Sequence, residues 1–101
     1  MASKKKKILF RIDNLRVDYM KDGESFVAYV PALDLSTCGD TFEEAQKMAD
    51  EAIRLFIEEC IRMGTLDQVL ESMGWRKRTQ TREWVPPAFI AQRQHVVNLT
   101  V

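Results

Sequence analysis

The sequence predicts an α+β fold: a three-stranded antiparallel sheet with one long helix packed on it, a short second helix and a C-terminal strand-like arm. Three observations carry that reading. Asp22-Gly23 lies between two runs of strand character, and Asp-Gly tolerates the positive φ of a tight hairpin. Phe26 to Val30 is apolar on both faces, as a central strand is, and Pro31 ends it because proline has no backbone donor. Thr41-Phe42-Glu43-Glu44 then has the form of a capping box at the head of an apolar stripe with helical spacing.

Taken in order, Lys4 to Lys7 form a basic tail, solvated or in contact with nucleic acid. Ile8, Phe10 and Ile12 alternate as a strand does, and so do Leu15, Val17 and Tyr19, but with switched parity. An extra residue near Asp13-Asn14 restores all six to one face, so a bulge or kink is expected there. Leu33 to Cys38 reads as a third, shorter strand. The helix that follows has Phe42, Ala45, Ala49, Ile53, Phe56 and Cys60 along its apolar side, with Ala52 and Ile57 beside them. Its other side offers Glu43/Lys47, Asp50/Arg54 and Glu58/Arg62 as acid-before-base pairs at i,i+4. Gly64 supplies the stop. Thr65-Leu66-Asp67-Gln68 repeats the box before a shorter helix ended by Gly74. Beyond Trp75 come a basic run, Arg76 to Arg82, a proline-broken apolar stretch from Trp84 to Ile90, and a last strand over 95–101. The expected organisation is a tail at 1–7, a domain at 8–75 and an arm at 76–101.

With 101 residues, 46% hydrophobic and 30% charged, the chain reads as one globular domain. No apolar run spans a bilayer. Ile8-Leu9-Phe10 meets Arg11 too soon to be a signal-peptide core, so a cytoplasmic protein is expected. The zero net charge hides an uneven distribution. Residues 1–33 balance at +3, residues 34–74 at −7 and residues 75–101 at +4. Such a middle suits a basic partner, and the ends suit nucleic acid or the middle of another copy.

The Gly39-Asp40-Thr41 corner has the form of a phosphate site, since a glycine turn precedes a helix. Asp40, Glu43 and Glu44 already occupy that positive helix end, however, and they repel an anion. The loop has neither a Walker lysine nor a G-x-G-x-x-G pattern. His95 has no acid partner nearby in sequence, Cys38 and Cys60 are no CxxC pair, and no zinc spacing occurs. Asp13, Asp18 and Asp34 have no spacing that favours a divalent ion over solvated carboxylates. The sequence therefore points to no catalytic residue, no metal and no cofactor.

Three segments carry a resemblance. Phe26-Val27-Ala28-Tyr29-Val30-Pro31-Ala32-Leu33, then Cys38-Gly39-Asp40-Thr41-Phe42-Glu43-Glu44-Ala45, then Glu51-Ala52-Ile53 together resemble the HicB antitoxin family over roughly residues 8–75. That family shares a Y-x-A-x-x-P-x-L strand, a G-D-T/S-x-x-E-A corner and a later E-A-I. The resemblance implies a partial RNase H-like fold without nuclease carboxylates. It also implies a task, to bind and mask HicA, a small basic ribonuclease toxin that cleaves mRNA. Many members add a C-terminal DNA-binding module. Here the family's Pro-Gly turn is replaced by Asp34-Leu35-Ser36-Thr37, and 26 residues follow Trp75, too few for a helix-turn-helix. DNA binding stays open.

The expectation is a non-enzymatic antitoxin that blocks a toxin sterically, with Asp34, Glu43, Glu51 and Glu58 as contacts. The alternative is a nucleic-acid-binding regulator acting through Arg76, Lys77, Arg78 and Arg82. A homodimer or larger oligomer is expected through Trp84, Phe89 and Ile90, by exchange of the last strand. Folding of this arm back onto its own domain is the competing arrangement.

Overall fold

The computed structural model describes residues 11–78 and 83–100. Strands β1 (Asp18–Asp22), β2 (Ser25–Val30) and β3 (Leu35–Gly39) form an antiparallel meander with β2 in the centre. Helix α1 (Phe42–Met63) lies across β3 and β2, and the short helix α2 (Leu66–Ser72) follows it. A second, two-stranded ladder joins β4 (Arg76–Lys77) to β5 (Trp84–Val85). The α+β arrangement is the one the sequence predicts.

The meander is set by two left-handed residues. Gly23, at φ 64°, turns β1 into β2 so that Asp22 faces Ser25. Glycine takes this region at no steric cost. At the other end Pro31–Leu33 winds into one 3₁₀ turn, and Asp34 at φ 49° closes it by donating its N–H to the Pro31 carbonyl at 3.2 Å. Asp34 thus supplies the left-handed residue that turns the chain from β2 into β3. The 3₁₀ turn consumes Leu33 and Asp34, so β3 begins at Leu35 and not, as the sequence suggests, at Leu33. Asn14 at φ 59° makes the kink expected near residue 13, but residues 11–17 are not strand. Ile8 and Phe10 lie outside the described residues.

Alternation along the strands separates two faces. Tyr19, Phe26, Ala28, Val30 and Gly39 turn toward α1. The register places Tyr19 beside Ala28 and Phe26 beside Gly39. Phe42, at the helix start, meets Tyr19 and Phe26 edge-on, with ring centroids 5.0 and 6.4 Å away. Ala28, Ala45 and Ala49 are buried, and a Cβ added at Gly39 would stand 2.6 Å from the Ala45 nitrogen. Small residues therefore let the helix backbone come down onto the sheet.

α1 starts as its sequence dictates. The Thr41 hydroxyl accepts the Glu44 N–H at 3.0 Å, and the Glu44 carboxylate reaches back to the Asp40 N–H. Gly64 at φ 70° ends it, and the Thr65 N–H closes on the Cys60 carbonyl at 2.9 Å, as in a Schellman stop. The second box does not form. Thr65 has ψ 6° and its side chain makes no cap bond, because a residue tied into the preceding helix end cannot adopt the extended N-cap geometry.

The main core lies at the end of the sheet where the 3₁₀ turn, α2 and the β4–β5 ladder meet. Val30, Leu33, Leu70, Trp75 and Trp84 are buried together, with Ile53 and Phe56 of α1 packed on them. Trp75 donates its indole N–H to the Ala32 carbonyl at 2.7 Å, so its one polar atom is satisfied inside the core. The sequence allows Trp84 either on an arm turned toward a neighbour or folded back on its own domain. Trp84 is 6% exposed, folded back into its own core. The strand expected over 95–101 is absent over the described residues 95–100, because that segment pairs with no strand.

Candidate functional site

Three surfaces present themselves: the outward side of α1, the sheet face away from it, and the basic end around the β4–β5 ladder.

On α1, Glu43, Glu51 and Glu58 are all exposed and lie opposite the buried stripe of Ala45, Ala49 and Cys60. The expected ion pairs re-sort. Arg54 bonds Glu58 at 3.3 Å and not Asp50, and Arg62 bonds Glu59 at 3.1 Å and not Glu58. Each long cation has acids within reach on both sides, and exposed pairs differ by only a few tenths of a kcal/mol, roughly, so neighbours compete on nearly equal terms. Glu43 and Glu51 have no partner among the described residues.

Asp34 is elsewhere, at the β2–β3 connection. There its carboxylate accepts the Tyr29 hydroxyl at 3.0 Å. That hydrogen bond, then burial, then the charges of Asp34 and Asp18, raise the Tyr29 pKa above its ordinary 10.0. The three α1 glutamates thus share a side of one helix, and Asp34 belongs with the sheet.

The second face of the sheet is formed by Asp18, Met20, Val27, Tyr29, Ser36 and Cys38, by the same alternation. Nothing in sequence reasoning singled it out. Its signal was present, because apolar residues occupy both faces of β2 while only one long helix follows. Val27 and Tyr29 are half-buried, and Met20 and Cys38 are exposed.

At the basic end, Arg76, Lys77 and Arg78 are exposed, and Arg82 lies outside the described residues. Lys77 is already engaged, 3.5 Å from Asp67 and 5.6 Å from the centre of the Trp84 ring. An open cleft of about 560 Å³ adjoins them, lined by Arg11, Asp13, Arg16, Arg78, Trp84 and Phe89 among others. Its cations are largely committed. Arg11 bonds Asp13 at 3.0 Å, and Arg16 bonds Asp18 at 2.7 Å while lying over the Phe89 ring.

Among the described residues no three His, Cys, Asp or Glu side chains gather closely enough to hold a metal ion. Asp13, Asp18 and Asp34 each have a separate partner, Arg11, Arg16 and Tyr29. Cys60 is buried on the α1 stripe, and His95 stands exposed on the arm. Among the described residues no helix is long and apolar enough to cross a membrane. Comparison with family models, with curated proteins and with solved structures finds no match to the chain.

Proposed function

We propose that this protein is a non-catalytic, HicB-like docking protein that binds a small basic ribonuclease of the HicA type and covers its active site. One observation supports the reading above the others. α1 directs Glu43 and Glu51 outward without partners among the described residues, on a rigid helix held down by Gly39, Ala45 and Ala49. Unpaired carboxylates on a fixed element attract a basic protein and orient it without first breaking an internal ion pair. Residues 34–74, with a balance of −7, add a field of the same sign. Masking is steric, so no group on this chain moves a proton or breaks a bond.

The test is inhibition of mRNA cleavage by a HicA-type ribonuclease mixed with the purified protein. Cleavage should stop at stoichiometric protein. Glu43→Lys with Glu51→Lys should slow association by about tenfold, with added salt mimicking the change. Undiminished cleavage with no complex formed would sink the reading. The nucleic-acid alternative, acting through Arg76, Lys77, Arg78 and Arg82, predicts instead direct binding of labelled DNA or RNA that weakens steeply with salt.

A further inference from the structure

The C-terminal arm and the sheet face away from α1 are complementary in character. From Ile90 to Thr100 every residue is exposed. Ile90 is 94% exposed, Val96 89%, Val97 74% and Leu99 82%. The arm leaves the body at Phe89, whose ring lies under the Arg16 guanidinium, 4.7 Å from it. Residues 90–100 contain Arg93 and His95 and no Asp or Glu. Their backbone groups make no hydrogen bond to another described residue. β-Branched and apolar residues in an exposed segment that pairs with no described strand are the ordinary form of a strand that binds another surface.

The sheet face opposite α1 has the reverse character. Met20, Val27, the Tyr29 ring and Cys38 make its middle apolar. By the same alternation Asp22 falls at one end of that face, and Asp34 stands at the other. The apolar side chains of the arm and its Arg93 therefore suit a face with an apolar row of Met20, Val27 and Cys38 and with Asp22 and Asp34 at its ends.

We propose that residues 90–100 of one copy of this chain lie across the open β1–β2–β3 face of a second copy, the two arms being exchanged about a two-fold axis. Phe89 and Arg16 fix where each arm departs. Val97 and Leu99, which share one side at period two, cover Met20, Val27 and Tyr29 of the neighbour, and Arg93 on that same side lies toward its aspartates. Reciprocal exchange is the closed form of such a contact, so it yields a dimer and not a fibre. The outward side of α1 stays free, and the proposal therefore stands or falls independently of the toxin-masking reading.

Two measurements on the full chain test it. Light scattering after size exclusion, across the micromolar range, should give the mass of a dimer. Val97→Asp combined with Leu99→Asp should halve that mass, and so should Met20→Asp on the face, while circular dichroism stays unchanged. Cys38 offers the second measurement, because it is exposed on the open face. Under mild oxidation Leu99→Cys should bond to Cys38 of the other copy. The product would run as a covalent dimer on a non-reducing gel and disappear when Cys38→Ser is added. A monomer at every concentration overturns the proposal. So does a dimer that survives both aspartate substitutions, or a Leu99→Cys product that closes within one chain.

Discussion

Trp84 and Leu99 are large apolar residues fifteen positions apart, and they meet opposite fates. Trp84 is 6% exposed against Leu70, Trp75 and Val30, while Leu99 is 82% exposed on the arm. Hydrophobicity does not separate them, and neither does strand propensity. What separates them is a two-residue ladder. β5 is pinned to β4 by pairing of Lys77 with Trp84, and Arg78 adds a backbone bond to the Glu83 carbonyl at 2.8 Å. Among the described residues nothing comparable holds the chain after Phe89. The body of this protein is therefore made by burial that a few backbone bonds direct, and the arm has the side chains for burial without the bonds.

The largest expected effect lies on the buried side of that comparison. Trp84→Ala removes a full indole from the main core and should cost about 3–5 kcal/mol in urea unfolding. A loss below about 1 kcal/mol would place Trp84 with the arm, energetically, and would erase the distinction. Gly39 tests the other half of the body. A Cβ there meets the Ala45 nitrogen at 2.6 Å and the Glu44 carbonyl carbon at 2.9 Å. These are backbone atoms that cannot rotate away, so Gly39→Val must lift α1 from β3, at about 1–3 kcal/mol. Gly23→Ala meets no neighbouring atom. Its cost comes only from forcing a side chain into the left-handed region, about 1–2 kcal/mol.

The cap at the corner contributes less. Thr41→Ala deletes the acceptor for the Glu44 N–H and should destabilise by about 1 kcal/mol, while Thr41→Ser should retain most of it. On the open face the expected change is in titration. Tyr29 holds its proton above the ordinary 10.0 mainly because its hydroxyl donates to Asp34. A raised phenol pKa means that this hydrogen bond is intact below the ordinary value and is lost as pH rises through the raised one. Asp34→Asn should therefore move the ultraviolet titration of Tyr29 to lower pH. An unmoved curve would show that Asp34 does not hold the hydroxyl.

Local chemistry made most of the body legible in the sequence. Gly23, Pro31, Thr41 and Gly64 act on their own backbone or on residues three or four away, and each marks a boundary where the structure has one. What the sequence hid depends on distant partners. The sequence offers Asp34 as a contact for a toxin, while its place in the fold is a left-handed turn, which a short polar side chain tolerates. Thr65 matches the capping pattern of Thr41, but its backbone is spoken for by the end of α1. The fate of Trp84 depended on the β4–β5 ladder, whose strands are two residues each, too short for any periodic signal. Of the candidate site, the outward glutamates of α1 follow directly from helical spacing. The open sheet face needed the register of all three strands.

The smallest effect on the single chain is expected on the arm, and it sharpens the comparison most. Val97 is 74% and Leu99 82% exposed, and neither belongs to the core cluster. Val97→Asp with Leu99→Asp should therefore change unfolding free energy by less than about 0.5 kcal/mol in dilute protein, the ordinary range for a surface site. Association adds a second signature, since an equilibrium between copies makes melting temperature rise with protein concentration by mass action. The unaltered chain should show that rise and the doubly substituted chain should not, with the two melting curves converging on dilution. If the substitutions cost several kcal/mol at the lowest concentration, the arm would already be packed within one chain. Leu99 would then share the fate of Trp84.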